Sequence, residues 1–135
     1  MSGKQEKLAV NPKTIRKNLI ALLRLLSSES EQVAYQQNVP FVNVCNELLC
    51  RWFSDLYLPE YADFRSCFTQ AELDALAGFN QFYSEKVQAL PCLEHHPGIR
   101  HPAELEEWLR SPVWREVMDE AERAFNAFPH NEREA

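Results

Sequence analysis

Glycine is scarce in this chain, three residues in 135. A phosphate-cradling loop needs several glycines within a few positions, so that class of nucleotide site is excluded. The chain also has no Gly-x-Ser-x-Gly elbow and no His-Glu-x-x-His pair, which removes two common signatures of hydrolytic enzymes. No apolar run approaches the roughly 18 residues that mark a membrane-spanning helix. Strand-like runs are few and short, residues 40–44 being the clearest. Cysteines number four, Cys45, Cys50, Cys67 and Cys92, and Met1–Lys7 leads into no apolar core with a cleavage site. The expectation is therefore free thiols in a reducing cytosol and a cytoplasmic protein, not a disulfide framework.

Basic residues are short as well, and they are unevenly placed. The net charge is −6, yet residues 1–26 carry six basic groups against Glu6, a balance of +5, and the remaining residues carry −11. An acidic body of this kind repels phosphate backbones and attracts basic surfaces, which argues against direct nucleic-acid binding. The basic front end reads as a solvated, helix-flanking patch.

What the chain does have is helical periodicity. From Thr69 to Leu90 a capping pair, Thr69 and Glu72, precedes Leu73, Leu76, Phe79 (or Asn80), Tyr83, Val87 and Leu90, which share one face until Pro91 stops the helix. This stretch is expected to be the central helix. Asn11-Pro12 starts an earlier helix with Ile15, Leu19, Leu22, Leu23 and Leu26 inward and Arg16, Lys17 and Arg24 facing away. That helix should end at residues 27–30, with at most one loose turn over 31–38. Phe41, Val44, Cys45, Leu48, Leu49, Trp52 and Phe53 predict a heavily buried helix over 41–56, and residues 57–68 a mixture of loop and short helix. His101-Pro102 opens a short helix to Arg110. Ser111-Pro112 opens the last one, to Phe128, with Val113, Val117, Ala121 and Phe125 inward and Trp114, Met118 and Phe128 flanking them. The fold class expected is all-α, one compact bundle of four main helices and one or two short ones over 11–129, with flexible ends at 1–10 and 130–135.

Three constellations could carry chemistry. Cys92, His95, His96 and His101 share a loop and are all zinc-binding types, but no second Cys-x-x-Cys pair accompanies them. A thiol or metal-dependent enzyme would have to use this loop; the expectation is no enzyme, no metal and no cofactor. The basic N-terminus is the second. The third and best signal is acidic and aromatic. Asp55, Glu60, Asp63, Glu72 and Asp74 are opposed only by Arg65, with Tyr57 and Tyr61 among them, and Glu116, Asp119 and Glu120 share a face of the last helix. Solvated carboxylates are ordinary surface. With tyrosines beside them they also make a docking site for a basic protein, the acids steering and the rings anchoring. The partner-binding residues expected are Asp55, Tyr57, Glu60, Tyr61, Asp63, Asp74, Glu116, Asp119 and Glu120.

The stretches N-E-L-L-C-R-W-F-S-D-L-Y-L-P, F-R-S-C-F-T-Q-A-E-L-D-A-L-A-G-F-N-Q-F-Y and S-P-V-W-R-E-V-M-D-E-A, across residues 46–121, resemble bacterial immunity proteins of contact-dependent growth-inhibition and related polymorphic toxin systems. The resemblance is a pattern: an aromatic-acidic segment, an F-T-x-x-E-L helix start and a late Pro-x-Trp helix. It implies a cytosolic, non-enzymatic protein that neutralises one cognate toxin domain, often a basic nuclease. It carries no contact residues across. A helical adaptor or regulatory subunit for another host protein is the alternative, and monomer or dimer stays open.

Overall fold

Asn11 accepts a hydrogen bond from the Lys13 amide at 2.8 Å and Pro12 follows it, so the first helix, α1 (Pro12–Ser27), begins where the sequence predicts. The computed structural model describes residues 11–40, 42–90 and 105–134. Ile15, Leu19, Leu22, Leu23 and Leu26 are buried along α1, and Ile20 joins them. Ser28 then caps a ten-residue helix, α2 (Glu29–Asn38), where only a loose turn was expected. The reason lies in Gln32, which is fully buried. Its amide donates to the Leu25 and Leu26 carbonyls at 3.0 and 3.1 Å, and its oxygen accepts from Trp114 Nε1 at 3.1 Å. A long-range partner for one polar side chain holds α2 against the core.

The helix expected over 41–56 divides in two. After α3 (Val44–Cys50) the chain widens into a π-helical turn, Arg51–Leu56, whose end is marked by the Tyr57 amide donating to the Trp52 carbonyl five residues back. The wider turn breaks the 3.6-residue period. Trp52 stays buried while Phe53, expected inside, is 38% exposed. Phe41 lies outside the described residues. A four-residue helix, α4 (Ala62–Arg65), follows, and then α5 (Gln70–Lys86), which ends in a 3₁₀ turn, Val87–Ala89. Both bonds of the Thr69–Glu72 capping box are present, at 2.8 and 3.1 Å.

The short helix expected before Arg110 is seen as α6 (Leu105–Arg110), its start lying outside the described residues. The last long helix, α7 (Pro112–Phe125), is the one that organises the packing. It lies most extensively against α1 and next against α5, so the central element is α7 and not α5. Its inner face is Trp114, Val117, Met118, Ala121 and Ala124: Val117 and Ala121 are where the sequence predicts, the expected flanking residues Trp114 and Met118 are buried with them, and Ala124 is added, whereas Val113 and Phe125 are only half-buried. The two alanines let neighbouring helices approach closely. Tyr83 meets Trp114 at one end of the α5–α7 pair and Phe68 meets Phe128 at the other, so the two helices are antiparallel. Residues 130–133, expected in a polar tail, form a further turn, α8 (His130–Arg133). Among the described residues every regular element is helical: the all-α expectation holds.

Candidate functional site

Arg16 was expected to face solvent. Instead all five of its N–H groups are used. Nε and Nη2 donate to Glu132 at 2.8 Å each, Nη1 and Nη2 to Glu72 at 2.8 and 2.9 Å, and Nη1 also to the Cys67 carbonyl at 2.9 Å. The guanidinium carbon sits 5.6 Å from the Phe68 ring centroid and 5.3 Å from that of Phe128. Glu72 is only 6% exposed at its side chain, an exception to the expectation that the carboxylates lie at solvated positions. The Arg16 guanidinium holds the Glu72 and Glu132 carboxyls below the ordinary range. This cluster knots α1, the start of α5 and α8 together, and its saturated hydrogen bonding marks it as architecture.

The expected docking residues fall into two groups. Asp55 is exposed at the end of the π turn, and within eight residues Glu60 follows on the segment leading to α4 and Asp63 in the first turn of α4 itself. Tyr57 is not a surface anchor: its ring stacks on Trp52 at 4.7 Å and meets Phe64 edge-on at 5.6 Å. Burial, with Glu60 nearby, pushes its hydroxyl pKa up. Tyr61 is half-buried, and Arg65, the lone cation of the segment, donates to the Pro59 carbonyl at 2.8 Å. Asp74 is exposed in the first turns of α5 and accepts from Gln70 at 2.9 Å. The second group is on α7. Glu116 pairs with Lys86 at 3.3 Å, Glu120 pairs with Arg123, and Asp119 is exposed. Because Glu116 stands opposite the far end of α5 from Asp74, some 18 Å along the helix at 1.5 Å per residue, the two groups are not one tight patch.

The structure adds two grooves that the sequence did not reveal. One, of about 760 Å³, lies between α1, α2 and the α3–π segment and is lined in part by Asn18, Tyr35, Glu47, Arg51 and Asp55. The other, of about 390 Å³, lies along α1 against α7 and α8, floored by Ile20, Ala21 and Phe125. Lys13, Lys17, Arg24 and Arg133 surround it. The only signal for it in the sequence was the basic balance of residues 1–26, and Arg133 comes from the other end of the chain.

Cys92, His95, His96 and His101 lie outside the described residues, and among the described residues no group of three or more His, Cys, Asp and Glu is placed to hold a metal. No described helix is long and apolar enough to cross a membrane. The fold and surface define a helical domain with a charged exterior divided between acidic and basic regions. No family model matches the chain, and no match was found among curated proteins or solved structures.

Proposed function

We propose that this protein works by stoichiometric binding of a basic protein partner at the acidic surface running from Asp55 to Asp74, and that it performs no reaction itself. The observation that supports this most directly is the aromatic packing behind that surface. The Tyr57–Trp52 stack and the Phe64 contact fix the segment that carries Asp55, Glu60 and Asp63, while Arg65 is turned onto the Pro59 carbonyl. Carboxylates held in place before the partner arrives steer it without a further ordering cost. Tyr61, half-buried at the middle of the segment, supplies the aromatic contact. The more specific reading, resting on the resemblance over residues 46–121, is an immunity protein whose partner is a basic toxin domain. The adaptor reading shares the surface and differs in the partner.

The specific reading requires a toxin gene immediately upstream, and co-expression with that toxin domain tests it, by growth rescue and a 1:1 complex. The combined Asp55→Asn, Glu60→Gln, Asp74→Asn variant should slow association about tenfold at low salt and flatten its salt dependence. Tyr61→Ala should weaken the complex by about 2 kcal/mol. Unchanged binding in both variants would place the interface elsewhere, and a helical adaptor would be indicated by a gene neighbourhood without a toxin.

A further inference from the structure

The basic groove along α1 is at odds with the charge of the rest of the molecule. Residues 27–135 carry a balance of −11, yet Lys13, Lys17, Arg24 and Arg133 converge on one opening. Arg16 lines it too but is neutralised by Glu72 and by Glu132, the one carboxylate in the lining. Arg24 reaches Glu31 at 3.1 Å, a pair more than a third exposed on both sides and so weakly held in water. Arg133 is fixed in place by bonds to the Phe128 carbonyl and Asn126 at 3.0 and 2.9 Å, and lies over the Phe125 ring. Lys13 and Lys17 are exposed.

The floor beneath these cations is apolar: Ile20, the exposed Ala21 and the half-buried Phe125, widened by the methylene stems of the lysines and arginines. A volume of about 390 Å³ accommodates one or two large side chains. The spacing of the charges decides between ligands. Lys13 and Arg24, with Lys17 between them, lie eleven positions apart on α1, about 16 Å at 1.5 Å per residue. A single carboxylate or phosphate headgroup cannot meet charges spread so far, whereas acids along a peptide can. A nucleic-acid strand would gain little from an aliphatic floor and would be repelled by the acidic body.

We propose that this groove binds an acidic amphipathic segment of a protein partner, with an apolar side chain over Ile20, Ala21 and Phe125 and carboxylates against Lys13, Lys17 and Arg133. The site is opposite in charge to the acidic surface and adjoins, through Ala21 and Arg24, the larger groove on whose far side Asp55 lies.

The test uses the full chain and a fluorescein-labelled 14-residue peptide of glutamate and leucine, with leucine at every third or fourth place, read by anisotropy. The wild-type protein should bind it, with affinity falling as salt is raised, and the lysine-for-glutamate peptide should not compete. Lys13→Glu with Lys17→Glu should weaken binding at least tenfold. Ala21→Trp, which fills the floor from an exposed position, should do the same with the cations intact. The Asp55→Asn, Glu60→Gln, Asp74→Asn variant should bind the peptide as wild type does, which separates this site from the acidic one. No binding by the wild type, or equal binding by both groove variants, overturns the proposal. So does a single-stranded DNA 14-mer that binds more tightly than the peptide and is lost in the lysine variant, since the groove would then be a phosphate site.

Discussion

Arg16 and Gln32 each do what several apolar residues could not. Arg16 sits between two phenylalanine rings and two carboxylates, so its loss would strand Glu72 without its counter-charge in a site only 6% exposed. Arg16→Met should cost about 3 kcal/mol in urea unfolding, the lower end for breaking a buried pair because the arginine side chain keeps 21% of its exposure. The same cluster sets the response to acid. Both carboxyls have folded pKa values below the unfolded value of about 4.3, so their stabilisation is complete above that value and is lost as pH falls through the lower folded ones. Wild-type stability should therefore decline below about pH 4.5, and this acid limb should be shallower in Arg16→Met, where protonating Glu72 no longer breaks the pair with the guanidinium and only the capping bond from the Thr69 amide still favours the carboxylate. Gln32 satisfies two carbonyls and the Trp114 indole at once. Gln32→Leu keeps the volume but removes all three bonds, the Leu25 carbonyl alone retaining another partner in the Ser28 amide at 3.3 Å; a loss of about 2 kcal/mol and altered tryptophan fluorescence are expected.

Helix ends in this chain are decided locally. Asn11, Ser28, Asn43, Thr69 and Ser111 each accept a backbone N–H from the first turn of the helix they precede. Thr69→Ala removes half of a reciprocal box whose other half, Glu72, is also held by Arg16, so the expected cost is about 1 kcal/mol and not the loss of the helix. Thermal melts of Thr69→Ala and Arg16→Met together with the double variant would reveal the coupling between them, because both act through the same carboxylate. The π turn over Arg51–Leu56 has a different origin. It places Trp52 where its indole can donate to Asn80 at 3.0 Å and Tyr57 where it can stack on that ring. For this reason Tyr57→Ala is a stability variant, and Tyr61→Ala is the cleaner probe of binding.

Across the molecule, α7 is held between α1 from the start of the chain and α5 from its middle, and the thiols report on the assembly. Cys45 is fully buried and burial pushes its pKa far up, whereas Cys50, one and a half turns on, is exposed. N-ethylmaleimide should modify Cys50 rapidly in the native protein, and Cys45 only at the rate of unfolding, as peptide mass mapping would resolve. Rapid native modification of Cys45 would mean that α3 opens separately from the α1–α7 core. The charges are likewise partitioned at this level. The surface from Asp55 to Asp74 and the groove floored by Ala21 present opposite signs, and the partners proposed for them differ accordingly.

Local chemistry was legible without coordinates. Capping side chains, helix-starting prolines and three- or four-residue apolar spacing act over one or two turns, so the all-α class, the α1 stripe and the start of α5 could be read directly. Interactions between distant residues could not. The partners of Arg16 are 56 and 116 positions away, and Gln32 reaches Trp114 across 82, so a guanidinium that looked solvated and an amide in a weak helix became the joints of the core. The shift of Phe53 to the exterior, the move of Tyr57 inward and the closing of α8 over α1 all depend on the same thing: a side chain's surroundings are set by whichever segments fold onto it, and pattern along the chain records only its neighbours within a turn or two.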